Sequence, residues 1–152
     1  MTALLEISDL TVSFESEGGR TRAVNGVSYS VKEGEIVGVV GESGSGKSVH
    51  ALAMMGLVPR GVGRIESGAI SFSGRDLTTL SQSQLRAIRG REIAMVFQDP
   101  ISSLNPVYTI GFQISEVLKR HLGLSAPAAE NRAAELLDVV GIPGSRQRLK
   151  NY

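Results

Sequence analysis

The residues with the clearest chemistry are Gly41, Glu42, Ser43, Gly44, Ser45, Gly46, Lys47 and Ser48, which satisfy G-x-x-x-x-G-K-[ST] at every fixed position. The apolar run before them (Ile36, Val37, Gly38, Val39, Val40) reads as a buried parallel strand, and residues 49–57 read as the start of a helix. A loop between a strand and a helix N-terminus presents unpaired backbone N–H groups, the positive end of the helix dipole and glycines without side chains. Together these can wrap a phosphate. Lys47 would reach the terminal phosphates of a bound nucleotide and Ser48 would ligate Mg2+.

The elements that must position this loop fit an ordinary globular chain. Its 152 residues are 41% hydrophobic and 20% charged, which suits a sizeable core. A net charge of +1, with no block of like charges, offers no argument for a nucleic-acid or anionic-lipid surface. The absence of cysteine excludes disulfides and thiolate metal sites and fits a cytosolic location. The longest apolar stretches, residues 36–40 and 51–58, fall well short of the ~18–20 residues that a membrane span needs, and no basic n-region precedes Leu4.

In chain order, residues 5–14 alternate as a half-buried strand and break at Ser16-Glu17-Gly18-Gly19. Residues 24–31 form a second strand with Val27, Tyr29 and Val31 at period two, and residues 32–35 turn it into the strand before the loop. Asn25-Gly26 resembles a hairpin turn but lies too early in that strand to serve as one. Residues 59–68 read as a loop, 69–73 as a short strand, and Ser81 with Gln84 as a capping box opening a helix that stops at Gly90. Residues 93–97 read as a second continuous apolar strand. From Gln98 onward the pattern is helical: Thr109 caps a helix bearing Ile110, Ile114, Val117, Leu118 and Leu122. Ser125 with Pro127 opens another, bearing Leu136, Leu137 and Val140, that closes at Gly141.

Val96-Phe97-Gln98-Asp99-Pro100, followed by Ile101-Ser102-Ser103-Leu104-Asn105-Pro106 and Tyr108-Thr109-Ile110-Gly111, closely resembles the Q-loop and early helical subdomain of ABC transporter ATP-binding subunits. The likeness is greatest to the branch importing dipeptides, oligopeptides and nickel complexes. Residues 23–28 and 90–99 match as well. The resemblance implies an α/β P-loop fold of ABC type, with an antiparallel β-subdomain, part of a parallel core sheet and the start of a helical subdomain. It divides the chain into a nucleotide-binding core, residues 1–98, and a helical region, residues 99–152. It implies ATP and Mg2+ as ligands, Gln98 as the residue that senses Mg2+ and the attacking water, and Phe14 as the aromatic that stacks on adenine. Val49 replaces a threonine common in relatives, so only its backbone N–H would remain for the α-phosphate. The implied partners are membrane subunits, through the Q-loop and early helical subdomain, a second ATP-binding subunit in a homo- or heterodimer and, indirectly, a periplasmic or extracellular substrate-binding protein. The implied location is the inner face of the cell membrane.

Other readings of single residues are weaker. Tyr29 also offers an aromatic face for adenine. Asp99 could pass for a Walker B aspartate, but Pro100 stands where the catalytic glutamate is needed. Asp138-Val139-Val140-Gly141 fits D-x-x-G, yet Gly141 reads as a helix C′ residue and no N-K-x-D occurs, which disfavours a GTPase; a P-loop kinase is disfavoured by the Q-loop match. His50 and His121 follow no apolar strand, so neither resembles the switch histidine. The sequence contains no Leu-Ser-Gly-Gly-Gln, no apolar strand ending in Asp-Glu and no switch histidine. It is therefore expected to be the N-terminal part of a longer ATPase subunit, or a non-catalytic fragment, that binds nucleotide but barely hydrolyses it. An unpaired edge at residues 36–40 is expected to make it marginally stable and self-associating.

Overall fold

The structure, a computed structural model, describes residues 3–97 and 103–152. It forms two compact units, Met1–Ile93 and Ala94–Tyr152. Among the described residues no helix is long and apolar enough to cross a membrane.

The first unit is built on an antiparallel sheet of β1 (Leu5–Ser16), β2 (Gly19–Val31), β3 (Gly63–Phe72) and β4 (Arg75–Asp76), in the order β2-β1-β3-β4. The expected turn joins β1 to β2: Ser16 pairs with Gly19, and the Ser16 hydroxyl donates to the Gly19 carbonyl at 2.9 Å. The Asn25-Gly26 pair is a bulge inside β2, where the register with β1 shifts between Leu10 and Val12. Gly26 takes φ +66° there and its N–H donates to Thr11 Oγ1 at 3.1 Å. Strand β3 begins six residues earlier than its apolar pattern suggests. Arg64, Glu66 and Gly68 gave its first half the composition of a loop, but this half pairs with β1.

Ile7, Leu10, Val12 and Ile70 are almost completely buried at the centre of this unit, joined by Val24, Ala53, Phe72, Leu77, Leu85 and Ile88. Each large apolar side chain of this kind contributes about 1.5–3 kcal/mol by leaving water. Ala53 belongs to α1 (Lys47–Met54), and Leu85 and Ile88 to α2 (Gln82–Ile88), so one core holds the sheet and both helices together. The capping box is formed: the Ser81 hydroxyl accepts from the Gln84 N–H, and the Gln84 side chain accepts from the Ser81 N–H at 2.9 Å.

Arg89, at the end of α2, ties the two helices together. Its Nε donates to the Met55 carbonyl at 2.6 Å and its Nη2 to the Gly56 carbonyl at 2.8 Å, at the C-terminal end of α1 where backbone acceptors lack helical partners. Arg89→Ala is expected to cost about 2 kcal/mol, because it removes two charge-assisted bonds at a half-buried position. Chemical denaturation checks this: the midpoint should fall with little change in slope.

Two expected strands are not formed. Residues 36–40 and 94–97 belong to no ladder, and Ile93 makes only an isolated bridge with Arg89. Ile36 is 97% exposed, Val40 91% and Val96 96%. A parallel strand is held by neighbours on its flanks and by covered faces, and the antiparallel sheet offers these segments neither. Apolarity makes a segment suitable for such a place but cannot supply the partners.

The second unit contains α3 (Ile110–Leu122), α4 (Ala126–Val139) and α5 (Ser145–Arg148). Thr109 caps α3 by accepting from the Phe112 N–H at 3.2 Å, and Gly123 ends it in the left-handed conformation at φ +66°. Ser125 occupies the N-cap of α4 without a side-chain bond, with Pro127 in the first turn. Leu118 packs with Ala129, Ala133, Ala134, Leu137 and Leu149. Val117, Leu122 and Val140 of the predicted stripes are exposed, since these stripes are wider than the surface that the small unit covers. The short α5 carries no periodic signal. It brings the chain back so that the Leu149 and Asn151 carbonyls accept from the Gly111 and Ile110 N–H groups, each at 2.8 Å, at the start of α3.

Candidate functional site

The G-x-x-x-x-G-K-S segment closes onto the N-terminus of α1. Gly46 is the N-cap residue at φ +92°, and a Cβ there would lie 2.1 Å from the Ala23 carbonyl oxygen. Glycine is thus required at Gly46 both by backbone conformation and by the close approach of β2. A Cβ on Gly41 would meet Ser45 Oγ at 2.6 Å, while Gly44 takes φ +81° facing open space. The loop is closed internally by the Ser45 N–H donating to the Glu42 carbonyl at 3.2 Å.

Lys47 curls over this loop. Its Nζ donates to the Gly41 and Glu42 carbonyls, each at 2.7 Å, and to Ser45 Oγ at 3.2 Å. The ammonium therefore sits over the concave side of the glycine loop. It is held by neutral acceptors that an anion's oxygens can replace with stronger charge-assisted bonds. Ser48, in the first turn of α1, is exposed, and Val49 packs partly against the core. Cradle, ammonium and hydroxyl fit a nucleotide polyphosphate and its Mg2+.

Beside the loop lies a cavity of about 650 Å3, within the size range of small-molecule sites. Its walls combine Gly41, Ser45, Gly46 and Lys47 with residues 37–40, with His50 and with Arg22, Ala23, Val24 and Tyr29 of β2. His50 is buried and its Nε2 lies 2.6 Å from the Tyr29 hydroxyl. Burial pushes the imidazole below its ordinary range, opposed by a hydrogen bond to the Lys47 backbone, and burial pushes the Tyr29 phenol up. Both shifts favour a neutral pair, which fits this wall of the cavity.

The predicted site residues from Gly41 to Ser48 are thus brought together, with Val49 following in the same helix turn. Phe14 does not itself line the cavity: it pairs with Thr21, next to Arg22 of the cavity wall, and is half-buried against Gly63, where an added Cβ would meet Phe14 Cε1 and Val58 Cγ1 at 2.7 Å. Gln98 lies outside the described residues. Sequence reasoning did not place Arg22 at the site and placed His50 only inside the following helix. The spacing of His50 from Lys47, three residues on a helix, was the available signal, since it sets both on neighbouring positions of one helix face.

An antiparallel sheet packed on a P-loop helix, with a separate helical unit, defines an ATP-binding cassette of ABC type. The chain belongs to the ABC transporter family, which it matches over residues 24–152. In fold it resembles a dimeric ATP-binding cassette in a post-hydrolysis state bound to ADP and Pi, with a TM-score of 0.79 over 96% of this chain and 66% of that one, at 22% identity. A dimeric bacterial ABC transporter cassette gives a TM-score of 0.75 with the same coverage, at 23% identity. Among curated relatives, the oligopeptide transport ATP-binding protein OppD of Bacillus subtilis is 47% identical over 100% of this chain and 42% of its own length. The dipeptide transport ATP-binding protein DppD of Escherichia coli is 50% identical over 99% of this chain and 46% of its own. A putative peptide import ATP-binding protein of Brucella abortus is 51% identical over 98% of this chain and 45% of its own. The chain thus spans somewhat under half the length of these relatives.

Proposed function

We propose that this chain forms the ATP-binding face of the energy-coupling subunit of an ABC importer for dipeptides, oligopeptides or related substrates. The observation that carries the reading is the glycine cradle at the N-terminus of α1 with the Lys47 ammonium folded over it. The names of the relatives, all peptide transport or import ATP-binding proteins, support the substrate class.

In this reading the backbone N–H groups from Gly41 to Val49 orient the phosphates, Lys47 pairs with the β and γ phosphates, and Ser48 and Gln98 hold Mg2+. When bound, Mg2+ neutralises charge on the phosphate oxygens. Gln98 also couples the site to a membrane subunit, in a chain divided into a nucleotide-binding core of residues 1–98 and a helical region of residues 99–152. Phe14 stacks on adenine. A second ATP-binding subunit faces the bound nucleotide, membrane subunits dock on the helical region, and the assembly sits on the inner face of the membrane. These residues bind and orient ATP. A water-positioning acid and a partner's signature segment, which this sequence does not contain, are needed for rapid turnover.

Calorimetric titration tests the reading. Mg-ATP binds, and GTP competes, because an aromatic platform senses a flat ring more than its edge. Phe14→Ala should weaken both by about tenfold, the scale expected for one lost ring contact. Normal binding by Phe14→Ala together with a loss in Tyr29→Ala would make Tyr29 the platform.

A further inference from the structure

The cavity beside the P-loop is lined by a second strong cation, Arg22, besides Lys47. Arg22 is anchored: its Nε donates to Glu66 Oε2 at 2.8 Å. Glu66 is itself well covered, its side chain only 13% exposed, and it also faces Arg20 at 3.6 Å and Arg64 at 3.9 Å. The Arg22 hydrogen bond is the main cause that holds the Glu66 carboxyl below its usual range. Arg20 is shared with Glu15 at 2.9 Å, so three guanidinium groups face two carboxylates and the cluster keeps a positive surplus. Among the described residues the terminal nitrogens of Arg22 make no hydrogen bond, and its side chain is 61% exposed. The group is thus fixed at one nitrogen and offers its remaining donors to the cavity.

The strand register says which part of a ligand those donors would meet. The Ala23 carbonyl abuts Gly46 of the phosphate loop, and Thr21 pairs with Phe14 across β1 and β2. Arg22 lies between these two points. A nucleotide held by its terminal phosphates at Lys47, with its base towards Phe14, passes Arg22 with its sugar. We propose that Arg22, positioned by Glu66, is a nucleotide-contacting residue that hydrogen-bonds the ribose of a bound nucleoside triphosphate. The inference rests on the P-loop reading and adds to it a residue that discriminates nucleotides from bare polyphosphate.

The test is calorimetric titration of the purified chain with Mg-ATP and with Mg-tripolyphosphate, which carries the phosphate chain without a nucleoside. Arg22→Ala should weaken Mg-ATP binding about tenfold, the usual effect of losing a charge-assisted hydrogen bond, and leave Mg-tripolyphosphate within about twofold. Arg22→Gln, which keeps a donor and most of the length, serves if circular dichroism shows that Arg22→Ala does not fold, and should lose about threefold to tenfold on Mg-ATP alone. Unchanged Mg-ATP affinity in the folded variant overturns the proposal, and so does an equal loss for both ligands, which would make Arg22 a distant charge acting on the phosphates. Failure of the unsubstituted chain to bind either ligand rejects the P-loop reading and the proposal with it. Binding of both ligands, with only Arg22 silent, rejects the proposal alone.

Discussion

Lys47→Ala should reduce Mg-ATP affinity by about 100-fold, or roughly 2.7 kcal/mol, while leaving the fold intact. The ammonium touches three oxygens of its own loop, Gly41 O, Glu42 O and Ser45 Oγ, so its place over the cradle is set before any ligand arrives. On binding, neutral acceptors are exchanged for phosphate oxygens, and each charge-assisted hydrogen bond gained is worth about 1.5–3 kcal/mol. Removing the side chain loses that gain and leaves a concentrated negative charge without its closest counter-charge. The stability cost should be small, because Lys47 is outside the buried core and α1 is anchored through Ala53 and by Arg89. Titration calorimetry with thermal melts separates the two quantities. An unchanged dissociation constant would remove the basis for calling this loop a phosphate site.

Gly46→Ala, by contrast, is expected to damage site and fold together. The new Cβ would stand 2.1 Å from the Ala23 carbonyl oxygen, a backbone atom that cannot turn aside, at a residue whose φ is +92°. Left-handed backbone costs a residue with a side chain about 1–2 kcal/mol, and overpacking adds about 1–3 kcal/mol. The sum of about 2–5 kcal/mol is a large share of the ~5–15 kcal/mol stability typical of a domain. Relief requires the loop to move away from β2, which opens the cradle. Mg-ATP binding should become undetectable and the melting temperature should fall by many degrees. A variant that melts like the parent and binds ATP normally would show that the loop does not need its close approach to Ala23.

Much of the site was legible because its determinants are local. The glycine spacing, the lysine and the serine lie within one short segment, and the structure closes that segment on a helix N-terminus as the pattern requires. The capping residues Ser81 and Thr109 were equally readable, since a cap is decided by side chains three residues apart. Phe14 was legible as an aromatic at the end of a strand, but its packing against Gly63 and Val58 depends on a strand about fifty residues away. No local pattern encodes that.

The sequence by itself determined which segments could bind phosphate, which were apolar enough to be buried and where helices begin and end, because each follows from the chemistry of near neighbours. Tertiary structure alone decided the rest. It made Asn25-Gly26 a bulge, through Thr11 on the neighbouring strand, and it drew the polar residues 63–68 into β3 by pairing them with β1. It placed Arg22 at the cavity through Glu66, forty-four residues further along the chain. It also left residues 36–40 without a ladder, although their composition is that of a buried strand. A strand is a relation between segments: its backbone donors and acceptors are satisfied only by a neighbour in the right register, and composition can invite that neighbour without providing it.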